Sequence, residues 1–594
     1  MQDCSLTWEL DSLFPHPGAE GFRAEVDAIR QRLSALADRS EDLPAVTEEY
    51  ARDWGAYLDE VASALSVFES LSSFVACHAA ADAANKLFLK YEGELASFGP
   101  LRAKIATNIE FAFQAAEDSA FQAFVGGDLW LSENEFFVRQ CRKDASFRLA
   151  KDQELLAAEL DVDGLHGWGR LYDRISSEVR VTLMERGEIV KKSPGQVTFE
   201  SPLREVRENN FRAVVKAWSS IADTCADALN HIAGARLTKY KRLGIDHLAM
   251  PLHLNRMTRE TLDTMWSVIS ERRVSLQKYL AAKAKLLGQE KLAIFDLEAP
   301  VPSSNTEAKK LTYDEACTQV IDSSQAFSED FGEFAEMAIR KRWIESEDRE
   351  GKRQGGFCTD FSARQQSRIF MTFTGTVDGM STLAHEIGHA YHSWVLNDQP
   401  LFLRNYPMNL AETASTFSEA VLADKRLSAC ASSDERRLLL DKMLSDAVAF
   451  LMNIHSRFMF EDAFHQERLS GEVSAERLSE LMLEAQKNAY CDSFSEDGWY
   501  SLSWVSKLHY YITELPFYNF PYTIGYLLSL GTFALAKDDV DFPDKFRSFL
   551  VATGCQVTED AVKNSFGYDL RERDFWDRSL DVVDERVQQF LELC

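Results

Sequence analysis

The stretch Thr382-Leu383-Ala384-His385-Glu386-Ile387-Gly388-His389-Ala390-Tyr391-His392 constrains this chain more than any other. Two histidines stand four residues apart in an apolar run that suits a helix, so both fall near one helix face, one turn apart. Imidazoles so placed can give a tetrahedral zinc two nitrogen ligands, with Glu386 beside the metal as a base. The flanks sharpen the reading. Thr382, Ala384, Ile387, Gly388, Ala390 and Tyr391 are all uncharged, whereas a solvent-facing helix with a chance match would carry charges among them.

Two imidazoles leave a catalytic zinc one protein ligand short, the fourth position being kept for water. The candidates lie in Asn409-Leu410-Ala411-Glu412-Thr413-Ala414-Ser415-Thr416-Phe417-Ser418-Glu419-Ala420, a second helical stretch downstream of His389. Glu412 and Glu419 are seven positions apart and share one helix face to within about 20°. One carboxylate can bind the metal while the other holds a ligand histidine or the first carboxylate. We take Glu412 as the ligand and Glu419 as the holding partner, an order that spacing alone leaves open. His392, one turn past His389, reads as a brace of the metal helix or a packing residue.

Only 28 Gly and 14 Pro in 594 residues leave few places for turns, which favours a mainly α architecture. Apolar residues at three- and four-residue spacing predict helices over residues 24–37, 56–74, 79–95 and 101–124, and again from 203 to 287 and 313 to 339. Within residues 178–199, Val179-Arg180-Val181-Thr182-Leu183 alternates in strand fashion, Arg186-Gly187-Glu188 reads as a turn and residues 191–195 as a loop, together a small hairpin. That hairpin is the expected seam between an N-terminal helical lobe, 1–195, and a catalytic domain, 196–594. A loop is expected at Ala299–Asn305. Strand-like segments at Gly355–Cys358 and Ser367–Phe373 lead into the histidine helix, and an edge there could pair with an extended peptide.

The balance of 65 Lys plus Arg against 94 Asp plus Glu gives a formal net charge of −29. Such a chain repels phosphate backbones and anionic membranes, so neither nucleic acid nor membrane is an expected partner. Ten cysteines are scattered from Cys4 to Cys594 without paired spacing, which suggests free thiols in a reducing compartment. The first ten residues lack a secretory pattern, and no uninterrupted apolar run of about 18 residues is present. A cytoplasmic protein without a transmembrane helix is expected.

The run from Gly355 to His392, the Glu412 helix and residues 505–531 resemble the oligoendopeptidase F and thimet oligopeptidase family of zinc peptidases, most closely the bacterial oligoendopeptidase F branch. In that family His-Glu-x-x-His is followed, about 25 residues after its second His, by a Glu in a Glu-x-x-Ser context. Glu412-Thr413-Ala414-Ser415 fits within two residues. Trp8-Glu9-Leu10-Asp11-Ser12-Leu13-Phe14 is also similar to the opening of the branch. The resemblance implies an elongated, two-lobed helical metallopeptidase with a deep substrate channel and a small β-sheet next to the zinc helix. It implies one zinc ion per chain, held by His385, His389 and Glu412, and cleavage of short unfolded peptides. Glu386 would take a proton from zinc-bound water and deliver it to the leaving amine.

The tract Lys507–Tyr526 resembles the His- and Tyr-rich substrate-binding segment of the family. By that resemblance His509 binds substrate and Tyr526, directly after Gly525, supports the tetrahedral intermediate. Tyr518 and Tyr522 join them as substrate-binding candidates, although an aromatic core stripe would look the same. Two other readings share these motifs: a zinc carboxypeptidase of similar helical build, and a peptide-binding protein without turnover. No motif marks the basic residue that a carboxypeptidase needs for the substrate's terminal carboxylate. Against the second stand His385, Glu386, His389 and Glu412, all intact.

Overall fold

The computed structural model describes residues 4–185, 187–303 and 310–594. Helices dominate, and the described strands form only two small sheets. The chain divides into two compact units, each assembled from three separate stretches. The first comprises Met1–Arg148, Lys309–Lys425 and Leu535–Gly567, and the second Leu149–Ala308, Arg426–Ala534 and Tyr568–Cys594. A mainly α, two-lobed fold with small sheets was expected, and the structure has it. Its partition follows a different line from the division expected at 195, because the hairpin there packs within the second unit against helix Arg204–Ser219.

In the first unit, helix Ala51–Ala81 runs through the core. Trp54, Phe74 and Leu71 on it are fully buried, and Phe22, Phe113 and Phe124 close round them. Length and composition alone would let this helix cross a membrane, although its apolar residues are interrupted by polar ones. More than half of its most apolar window is buried inside the protein. The same core takes in Phe361 and Phe370 from a three-stranded sheet. There Gln366–Phe370 lies in the middle, parallel to Ile344–Glu345 and antiparallel to Phe357–Phe361, with Cys358 opposite Ile369. The sheet hands the chain to the histidine helix through Gly375, whose φ of +78° is the left-handed region that glycine tolerates. Thr376 then caps the helix Val377–Leu396 by accepting from Gly379 N–H at 3.1 Å.

In the second unit the predicted hairpin forms from Val181–Glu185 and Glu188–Lys192, antiparallel, with Thr182 opposite Lys191. Arg186 of its expected turn, like Ser304 and Asn305 of the expected loop, lies outside the described residues. Tyr172 stacks on Tyr511 at 3.6 Å, and Trp504 is buried beneath them. The long helix expected over 313–339, in the first unit, is two helices. Ser328 leaves helical geometry and accepts from Phe331 N–H to start the second.

The second unit also buries a charge pair. Asp296 is fully enclosed and receives Arg207 Nη2 at 2.7 Å and Arg204 Nε at 3.2 Å. Removing one partner of a buried pair leaves the other charge unanswered, which costs about 3–5 kcal/mol. Asp296→Ala is therefore expected to move the urea midpoint of the second unit's unfolding sharply down, read by tryptophan fluorescence. An unchanged midpoint would show that water reaches Arg207.

Candidate metal centre

The helix Val377–Leu396 sinks Leu383, Ala384, Ile387 and Gly388 into the first unit and leaves His385 and His389 partly accessible. Their rings stand 82° apart, so the two Nε2 atoms converge to 3.2 Å. Glu412, on helix Met408–Ala429, brings Oε2 to 3.4 Å from His385 Nε2 and 3.5 Å from His389 Nε2. Bonds of about 2.0–2.1 Å to a tetrahedral zinc would set ligand–ligand edges of about 3.3 Å. The triangle of donors is that size, so the residues present fit the ion. Among the described residues these three are the group of His, Cys, Asp and Glu side chains close enough to hold a metal.

The two helices meet at Gly388. A Cβ there would lie 2.5 Å from Ala414 O and 2.6 Å from Ser415 Cα, closer than a methyl group can approach. Glycine thus lets the backbone carrying Glu412 lie directly against the histidine helix. Ser415 Oγ donates to Glu412 Oε2 at 3.0 Å and steadies its rotamer. Glu419 accepts from His385 Nδ1 at 2.7 Å through Oε1 and from Ser381 Oγ at 2.8 Å through Oε2. A proton held on Nδ1 leaves the Nε2 lone pair facing Glu412.

Electrostatics follow from this packing. Burial works to lower the His385 pKa, but Glu419's hydrogen bond and charge, with Glu386 and Glu412, raise it to about 9. Burial works to raise Glu412, and the His389 hydrogen bond with the two imidazoles brings it down to about 2. Glu386 moves the other way. It is 5% exposed, its Oε2 has no hydrogen-bond partner, and burial raises its pKa against the pull of both histidines. Gly356, just before the edge strand, has its Cβ position 3.2 Å from Glu386 Oε1, so any side chain there would crowd the carboxylate.

The remaining candidates divide as follows. His392 is wholly buried, stacks on Tyr406 at 4.0 Å and makes a 2.9 Å hydrogen bond with Thr553. His509, Tyr518 and Tyr522 come together in the second unit, with ring centroids 5.2, 6.3 and 5.9 Å apart. Tyr526, one turn beyond Tyr522 on helix Phe520–Asp538, is buried and stacks on Phe450. Sequence reasoning missed the spacer role of Gly388 and the hydroxyls of Ser381 and Ser415. The signal for Gly388 was its place inside the motif.

A model of peptidase family M3 matches residues 197–582, most of the chain. The chain belongs to peptidase family M3. This M3 chain is 23% identical to Oligopeptidase PepF of Bacillus subtilis (strain 168), over 99% of its own length and 87% of the relative's. Its fold is that of a solved candidate peptidase from Chlamydophila abortus, with TM-score 0.83 at 19% identity over 99% and 98% of the two chains. Oligoendopeptidase-F of Enterococcus faecium shares the fold with TM-score 0.72, again at 19% identity, over 96% and 99%. The resemblance read from the motifs is borne out, and the M3 chain is a metalloendopeptidase.

Two expectations follow from the centre. Overpacking costs about 1–3 kcal/mol, so Gly388→Ala should weaken zinc binding by about tenfold or more; competition with a chromophoric chelator reads this, and circular dichroism checks that the helices remain. In the metal-free protein the raised His385 pKa contributes stability that is complete below about 6.5 and is lost as pH rises through about 9. Zinc must displace that same proton. Its affinity should climb by up to about tenfold per pH unit between about pH 7 and 9, and a flat titration would mean that His385 is already neutral.

Proposed function

We propose that this M3 peptidase cuts internal peptide bonds of short unfolded oligopeptides, with one zinc held by His385, His389 and Glu412. The observation that carries the proposal is the buried Glu386 carboxylate, with an oxygen free of hydrogen bonds, beside three donors spaced for a tetrahedral ion. Zinc, when bound there, would supply Lewis acidity toward the scissile carbonyl and lower the pKa of a water toward neutrality.

Glu386 is the general base. Its proton affinity, raised by burial, suits it to take a proton from water and pass it to the leaving amine. Glu419 keeps His385 in the tautomer that presents Nε2. The glycine at 356 leaves room for an extended backbone beside the base, and the outer edge of Phe357–Phe361 pairs with no other described strand. A peptide could add there as a further strand. His509, Tyr518 and Tyr522 are proposed to bind the peptide, and Tyr526 to support the tetrahedral intermediate. Oligopeptide substrates are supported by the names of the relatives, and a cytoplasmic setting by ten cysteines that form no disulfide among the described residues.

The test is hydrolysis of an internally quenched peptide blocked at both ends, by wild type and by Glu386→Gln, with metal content measured on both. Wild type should cleave it. The variant should keep its zinc and lose about 10²–10⁴-fold in kcat. A variant that stays active at full zinc occupancy would remove Glu386 from the role of base. Zinc-loaded wild type that cuts only free-ended peptides would be a carboxypeptidase.

A further inference from the structure

The second unit holds two cationic side chains that form no ion pair with a carboxylate among the described residues. Arg457, on helix Ile454–Arg468, donates from Nη1 to Asn519 Oδ1 at 3.0 Å and pairs with no acid among the described residues. The ammonium of Lys507 makes neither a hydrogen bond nor an ion pair among them. Both are half-buried, and they repel one another: burial first, then the Arg457 charge, brings Lys507 down to about 8. His509, two residues on, is lowered to about 4 by burial and then by Arg457 and Lys507, so it stands neutral at pH 7.

Elsewhere the same unit supplies acids freely. Arg272 is met by Asp577, Asp581 and Asp584, and Arg477 by Glu467, Glu480 and Glu484. Holding two like charges together, partly out of water and opposed only by the Glu298 charge that acts on Lys507 from beyond ion-pair distance, costs free energy that a chain of net charge −29 could easily have avoided. Neutral donors are spare at the same place. Asn519 Nδ2 and the Tyr510 hydroxyl are buried without hydrogen-bond partners, and Tyr510 feels the Arg457 charge. Cations and spare donors gathered together are what a carboxylate requires. The rings of Tyr518 and Tyr522 lie against His509 beside them.

We propose that Arg457 and Lys507 form a receptor for a carboxylate of the peptide substrate, supplied by its C-terminus or by an Asp or Glu side chain. This rests on the oligopeptidase reading and narrows it to a class of substrate, peptides carrying an anionic group. Arg457 has a second conceivable duty, orienting Asn519 at the head of helix Phe520–Asp538. Lys507 touches nothing there, so the pair of residues separates the two roles.

The experiment compares one quenched peptide in three forms on the zinc-loaded protein: blocked and neutral, with a free C-terminal carboxylate, and blocked with Gln replaced by Glu at successive positions. Wild type should show a KM about tenfold lower for one anionic form than for the neutral one, a typical worth of a charge-assisted hydrogen bond. That advantage should shrink to about twofold or less in Arg457→Gln and in Lys507→Met, and return in part in Arg457→Lys. Damage to the fold would weaken all forms alike and leave their ratio intact. An advantage confined to the free terminus identifies the C-terminal carboxylate, and one that follows Glu identifies a side chain. No advantage in wild type, or one that survives both substitutions, overturns the proposal. Equilibrium binding of the same peptides to zinc-loaded Glu386→Gln makes the comparison without turnover. Failure of wild type to cut the neutral blocked form would sink the endopeptidase reading and leave the receptor to be judged by binding.

Discussion

Everything at the metal centre depends on how closely two helices can lie. Gly388 faces the carbonyl of Ala414 where any side chain would clash, and that contact fixes the distance between the histidine helix and the helix bearing Glu412. The donor triangle of 3.2, 3.4 and 3.5 Å is a consequence. Interiors are packed too tightly for such a contact to be loosened without cost elsewhere. The smallest residue of the motif therefore sets the geometry of its largest ones.

The second theme is the asymmetric treatment of carboxylates. Glu412 and Glu419 are each satisfied by imidazole and hydroxyl partners, and Glu412 is held ionised well below the usual range. Glu386, a few ångströms away in a buried position, keeps an oxygen idle and a raised proton affinity. Environment thus gives chemically identical groups opposite proton affinities, one lowered and the other raised. Arg457 and Lys507 of the second unit, which form no ion pair among the described residues, are the counterpart.

Much of this could be read from the residues alone. The histidine helix announced itself because its flanks are uncharged, and the hairpin because Val179, Val181 and Leu183 alternate with Arg180 and Thr182. Two kinds of feature could not. Ile344–Glu345 is too short for any periodicity to register, and Ser328 interrupts an apolar pattern that stays in phase across it. Glu412 and Glu419 share a face by spacing, so only the fold separates the oxygen near Nε2 from the oxygen near Nδ1. The interleaving of the two units along the chain, and the lack of an ion-pairing acid at Arg457 and Lys507 among the described residues, are properties of tertiary contacts between distant stretches, which composition and local pattern do not encode.

That interleaving also bears on synthesis. A ribosome releases the histidine and glutamate helices within one stretch, yet helix Phe542–Cys555, whose Thr553 meets the buried His392, emerges more than 100 residues later. The first unit cannot close until then. A nascent chain, or one cut short by a damaged message, carries His385, His389 and Glu412 without the buttress behind them. Peptide-cutting power is in this way deferred until helix Phe542–Cys555 has been made.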